Sequence, residues 1–287
     1  MSDAPVIVIT GATGFIGAAA AAHFSAKGFT VITAGRKKLN NFENIHFDLT
    51  DEYPDGIKLP HNTQIILHAA YLTLQQNKNA FELNLNATRL LLDAAKKADV
   101  KQFIFLSSLS ALPDAISVYG KQKFACENLV LQNGGCVVRP GLVIGRGGLF
   151  AAMQKHIAAG KRIPIFGKGT QPLQTVFIGD LLLAFEKIAA ENRSGAYTIA
   201  VQEPIPYRRF FELIAEHCGK TANFINLPFT PVKFLLRIAS WLRISLPVSS
   251  DNLAGLQTMR HINSADDLKK LGIVLKDAAE SIQLISK

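Results

Sequence analysis

Tyr119 and Lys123 stand four residues apart, a spacing that suits proton chemistry. On a helix, positions i and i+4 share one face a single turn apart. A free tyrosine ionises near ~10, too high for an acid–base group at neutral pH, and an adjacent ammonium favours the tyrosinate and lowers that value. The pair alone is common. It gains weight from Ile104-Phe105-Leu106-Ser107-Ser108, an apolar run that reads as a strand with Ser108 at its carboxyl end. In parallel sheets that end is where ligands collect. A second constellation opens the chain: Val6-Ile7-Val8-Ile9-Thr10 runs into Gly11-Ala12-Thr13-Gly14-Phe15-Ile16-Gly17. Gly11 permits a tight turn, Gly14 lets backbone approach a pyrophosphate, and Gly17 lets the following helix pack close to the strand. Free N–H groups and the helix dipole favour an anion there.

These residues need elements to hold them. Val6–Thr10, Thr30–Ala34, Gln64–His68, Gln102–Leu106 and Cys136–Arg139 read as buried strands, and Gly14–Lys27, Asn79–Lys97 and Tyr119–Gln132 as helices. Strands alternating with helices predict a parallel sheet covered on both faces. Beyond Gly145 the rhythm loosens. Leu149–Ala159 reads as a helix, Lys161–Gly167 as a short strand with turns, Asp180–Ala190 as a helix capped by Asp180, and Ala196–Ala200 as a return to the sheet. The rest, from Pro206 to Lys287, reads as mostly helical. The expected organisation is a dinucleotide-binding domain over 1–145, to which 175–200 returns, and a substrate lobe over 146–174 and 201–287.

Composition narrows the class. The chain has 287 residues, 48% hydrophobic and 18% charged, enough for a large core and against disorder. The opening residues lack a basic region before their short apolar run, so no secretory signal is expected. No stretch reaches the ~18 apolar residues of a membrane span. Three scattered cysteines, Cys126, Cys136 and Cys218, fit neither a disulfide framework nor a zinc site, so no metal and a cytoplasmic location are expected. A balance of 31 Lys+Arg to 22 Asp+Glu, net +9, suits general solubility or an anionic ligand. Nucleic acid is not expected, because the basic residues are scattered and no zinc-finger or RNA-binding motif is present. Phe229–Ile244 reads as a basic amphipathic helix, packing on the substrate lobe or, as the alternative, lying peripherally on the inner membrane.

The loop spacing Gly-x-x-Gly-x-x-Gly, with Ser108, Tyr119 and Lys123 in order behind it, resembles the short-chain dehydrogenase/reductase superfamily in its extended and atypical branch. That branch contains NAD(P)-dependent epimerases, dehydratases and reductases. The resemblance implies an α/β, Rossmann-like doubly wound parallel sheet with a smaller, mostly helical C-terminal substrate lobe. It implies that Ser108 hydrogen-bonds the substrate oxygen, that Tyr119 is the acid/base and that Lys123 reaches the nicotinamide ribose. Asp48 and Leu49 resemble the adenine-contacting pair, and His68-Ala69-Ala70 the segment along the cofactor. NAD-binding members place an acid after the second strand to hold the ribose hydroxyls. Arg36-Lys37-Lys38 stands here instead, which suits a 2′-phosphate, so NADP is the expected cofactor with NAD as the alternative.

Two departures qualify the match. Ser108 and Tyr119 lie 11 residues apart, closer than in sugar epimerases, which resembles atypical members such as the NADPH-binding accessory subunit of respiratory complex I. Sugar-nucleotide enzymes also carry an Arg that grips the diphosphate, where Leu173 stands here. Arg146, Arg162 and Arg260 are the candidate replacements. The reading is reduction of a keto group on a small-molecule substrate, a nucleotide-linked or other phosphorylated sugar. A 4-epimerase and a non-catalytic NADPH-binding subunit are the alternatives, and a homodimer stays open.

Overall fold

The computed structural model describes residues 4–39, 41–228 and 250–286; the basic amphipathic stretch at 229–244 lies outside them. Seven strands form the central sheet: β1 (Val6–Thr10), β2 (Thr30–Ala34), β3 (Glu43–Ile45), β4 (Thr63–His68), β5 (Gln102–Leu106), β6 (Cys136–Pro140) and β11 (Gly195–Ile199). Their order is β11-β6-β5-β4-β1-β2-β3. Every pairing is parallel. The order reverses beside β1, so the carboxyl ends of β1 and β4 open onto a switch-point crevice.

Alternation along β1 shows how the sheet is filled. Ile7 and Ile9 pack on one face with α1 (Phe15–Ala26) and α5 (Ile178–Ala190). Val8 packs on the other with α2 (Ala80–Lys97) and α3 (Val118–Gln132). α1 approaches closely because its inner stripe is small, Gly17, Ala20 and Ala21, closed by Phe24. α2 lays Leu91 and Leu92 on the opposite face. Each fully buried leucine contributes roughly 1.5–3 kcal/mol, so Leu91→Ala, at 0% exposure, is the sort of change that costs about 2–5 kcal/mol.

A second core gathers beyond β6. β7 (Leu142–Ile144) pairs with β10 (Thr175–Phe177), β8 (Ile163–Phe166) with β13 (Phe224–Leu227), and β9 (Pro172–Leu173) with β12 (Ile205–Pro206). With α4 (Gly148–Ala158) and α6 (Tyr207–His217) they enclose Phe150, Ile165, Phe210 and Ile214. Among the described residues three short helices follow: α7 (Ser250–Gln257), α8 (Ala265–Leu271) and α9 (Ala278–Gln283). No helix among the described residues is long and apolar enough to cross a membrane.

Two local expectations change. The region after Pro206 contains β13, which pairs in parallel with β8 across some 60 intervening residues. Asp180 is not a cap: α5 begins at Ile178 behind Phe177, and buried Asp180 accepts hydrogen bonds from the backbone N and Nζ of Lys276.

Candidate active site

The glycine loop has the predicted stereochemistry. Gly11 has φ +70°, and a Cβ there would lie 2.6 Å from the Ala70 backbone N, so only glycine fits. A Cβ on Gly17 would strike the Gly11 carbonyl. α1 starts behind Gly14 with no side-chain cap and no acid in its first turn, leaving its N–H groups available to an anion.

Thr10 ties this loop to the end of β4. Its Oγ1 accepts from the backbone N–H of Ala69 and Ala70, so its proton is directed to His68 Nδ1, 2.7 Å away. His68 must then carry its proton on Nε2, which donates to Thr88 Oγ1; Thr88 in turn donates to the Asn84 carbonyl. Burial, and then the positive charge of Lys123, push His68 down to about 3. His68 is therefore a neutral internal strut, and only the following Ala69 reaches the cleft.

Ser108 follows β5, and Tyr119 and Lys123 sit in the first turns of α3. All three line one cleft of about 700 Å³ with Gly11, Gly14, Phe15, Ile16 and Gly17. Lys123 is buried; its Nζ donates to the Leu106 carbonyl at 2.7 Å and lies 4.8 Å and 4.7 Å from the ring centroids of Tyr71 and Phe105. Burial lowers Lys123 to about 8, and the nearby Cys126 and Glu127 partly oppose the fall. In the protein alone, burial raises Tyr119 above the ordinary phenol value, and a hydrogen bond with Ser108 opposes the rise. The lowering expected from Lys123 is thus not present in this geometry, where its ammonium is engaged by Leu106. Tyr71 stands edge-on to Tyr119 at 5.2 Å and donates to Gln122, which fixes the wall beside the phenol.

Other predicted residues are spread apart. Arg36 Nε is 3.8 Å from Asp48 Oδ2, and Asp48 is oriented by Thr50 N and Oγ1. Arg36 and Lys37 are exposed beyond β2, while Leu49 packs against the core. Thr13 is exposed in the loop, outside the cleft lining. Arg146 is exposed and donates to the Ile285 carbonyl. Arg162 is exposed beside His156, and neither arginine lines the cleft. Arg260 does line it, paired two-for-two with Asp114 at 2.8 and 2.9 Å.

Three participants have no local signal. Ser107 Oγ lies in the cleft wall, buried and without a partner among the described residues. Asp251 of α7 accepts from the backbone N of Val118 at 2.5 Å and of Tyr119 at 3.3 Å, capping α3 from the far end of the chain. Gln174 spends its amide on Val201 and Ile262. The close-approach glycines, uncapped α1 and orphaned Ser107 hydroxyl together fit a dinucleotide stretched from α1 to Lys123.

The model of the NAD dependent epimerase/dehydratase family matches residues 7–200. A 3 beta-hydroxysteroid dehydrogenase/Delta 5-->4-isomerase of Mycobacterium tuberculosis is 23% identical over 83% of this chain and 75% of its own. The structure of UDP-glucose 4-epimerase from Thermotoga maritima with UDP-glucose superposes with a TM-score of 0.75 at 20% identity, covering 98% of this chain and 97% of that one. MoeE5 in complex with UDP-glucuronic acid and NAD gives a TM-score of 0.75 at 20% identity, covering 96% of each chain.

Proposed function

The chain belongs to the NAD dependent epimerase/dehydratase family, and on that premise we propose that it is an oxidoreductase reducing a ketone, or oxidising the matching secondary alcohol, with NADP as its preferred cofactor. The observation that carries this reading is the meeting of Ser108, Tyr119 and Lys123 on the wall of the cleft into which the glycine loop opens.

Reduction needs a hydride at the carbonyl carbon, which a reduced nicotinamide supplies when bound, and a proton at the carbonyl oxygen. Ser108 holds that oxygen by a hydrogen bond. Tyr119 Oη gives it the proton and recovers one from solvent after release. A phenol raised by burial stays protonated, which suits the donor role in reduction. Lys123 would hold the nicotinamide ribose with its ammonium, and Ser107 Oγ would complete its hydrogen bonding there. Arg36 and Lys37 would hold the 2′-phosphate; the loose Asp48 contact leaves most of the Arg36 fork free. Asp48 and Leu49 would contact the adenine. NAD, carried by MoeE5, is the second cofactor reading.

A nucleotide-linked sugar substrate, reduced or epimerised at C4, is the second reading. It is favoured by the UDP-sugars in the similar structures and by Arg260 in the cleft.

Tyr119→Phe tests the reaction. Cofactor affinity should survive while turnover falls by about 10²–10⁴, the usual worth of a positioned acid–base group. Lys123→Ala should weaken both. NADPH oxidation followed with a panel of ketones, 4-keto nucleotide sugars included, reads the effect. Unchanged turnover in Tyr119→Phe would refute the mechanism.

A further inference from the structure

We propose that the cleft selects an uncharged, largely apolar ketone or secondary alcohol, an inference that rests on the oxidoreductase reading above. Beyond the glycine loop, separate segments turn apolar side chains into the same space. Leu112 comes from the Ser108–Tyr119 loop, Leu142 from β7, Leu149 from α4, Leu173 from β9, and Met259 and Ile262 from the chain after α7. Leu149 stands 61% exposed at this lining, apolar area that a ligand of like character would cover.

The charges tell the same story. Among the described residues, the charged side chains lining the cleft are Asp114, Lys123 and Arg260. Lys123 is buried with its ammonium on the Leu106 carbonyl. The Arg260 fork is matched by both oxygens of Asp114. A nucleoside diphosphate needs charge-assisted donors for its anionic oxygens. If Arg260 swung to a diphosphate, the Asp114 carboxylate would remain beside it, unpaired and of like charge. At the place where a diphosphate arginine is expected stands buried Leu173. Its neighbour Gln174 has no donor to offer, because Nε2 serves the Val201 and Ile262 carbonyls. Of the uncharged polar side chains that remain, Tyr71 and Thr258 donate within the protein, the hydroxyls of Ser107 and Ser110 offer neutral hydrogen bonds and no charge, and Ser108 and Tyr119 are matched to one carbonyl or hydroxyl oxygen.

The test is binding to the NADPH-loaded protein, measured by calorimetry so that no turnover is required. The probes are the 2-alkanones from 2-butanone to 2-decanone, with UDP and UDP-glucose alongside. Each added methylene that is buried should tighten binding about fourfold. UDP and UDP-glucose should not displace 2-decanone. Leu149→Lys, at an exposed position that folding tolerates, should weaken 2-decanone tenfold or more, while Leu149→Met should keep its affinity. A flat response to chain length, or displacement of 2-decanone by UDP-glucose, would overturn the proposal. Failure of the reaction reads differently: ketones would bind with the expected slope, yet wild type would oxidise NADPH no faster than Tyr119→Phe.

Discussion

His68 shows how one side chain ties the glycine loop to the sheet. Both ring nitrogens are occupied by threonine hydroxyls, and Thr10 passes the constraint to the Ala69–Ala70 backbone against which Gly11 packs. The histidine must stay neutral for this. Its folded value of about 3 lies below the ordinary 6.5. Between those values the unfolded chain takes up a proton that the folded chain refuses, so stability falls as pH drops from about 6.5 toward 3. The loss attributable to this group is at most about 5 kcal/mol. Urea unfolding across that pH range should show a shallower fall in His68→Gln than in wild type; parallel curves would remove His68 from the acid response. Arg36 acts at the same scale on cofactor choice. It is 69% exposed, so under the NADP reading a contact with a 2′-phosphate would be worth about tenfold in affinity. NADPH should bind more tightly than NADH, and Arg36→Ala should erase most of the difference in a fluorescence titration. Equal affinities in wild type would sink the NADP assignment.

At the scale of elements, α3 carries the proposed acid–base pair and is held at its start by two acceptors. Ser117 Oγ accepts from Gly120 N, and Asp251 accepts from Val118 and Tyr119 N. Removing a capping acceptor costs about 1 kcal/mol, which in a chain this long moves the melting midpoint by about 2–4 °C. Asp251→Ala should show that shift and a severalfold loss of turnover, with cofactor affinity kept. Asp251→Asn, which retains an acceptor oxygen, should recover part of both. An unmoved midpoint in Asp251→Ala would mean that the cap holds nothing. This helix also marks how far the sequence is legible. Tyr119 and Lys123 can be found because their spacing is local and helical, and Ser108 because it ends an apolar strand. Asp251 cannot, because 132 residues separate it from Tyr119. The inner strands announce themselves as β-branched runs, whereas β3 has three residues and β13 acquires its strand character from β8. Asp180 has the type and place of a cap, yet the helix starts two residues earlier and Lys276 claims the carboxylate. Arg146 and Arg162 stand outside the cleft lining for a related reason: sequence proximity does not say which way an exposed cation faces.

At the scale of the whole molecule, the chain after α7 stitches the lobe back onto the sheet. Ser264 Oγ donates to the Ala200 carbonyl, and Thr198 N donates to Asp267, which covers the exposed edge of β11. Leu271 and Ile273 then enter the sheet's own core. Gln174 is the central stitch: its amide bonds both the N–H and the carbonyl of Ile262 and the carbonyl of Val201, and it is 2% exposed. Gln174→Leu keeps the approximate volume but orphans those three backbone groups. A buried orphan costs about 1–3 kcal/mol, and half-buried Ile262 can recover part of that from water, so the net loss should be about 2–4 kcal/mol. Because the segment contacts both cores, unfolding should remain one transition, with a lower urea midpoint and an unchanged slope. Ile262 and Met259 line the cleft, and the Gln174 side chain bonds Val201 and Ile262, not the glycine loop, so 2-decanone binding should weaken and NADPH binding should hold. Amide exchange at Ile262 should accelerate in the variant. A urea midpoint within error of wild type, or equal losses of both ligands, would show that this segment is not what closes the substrate end of the cleft.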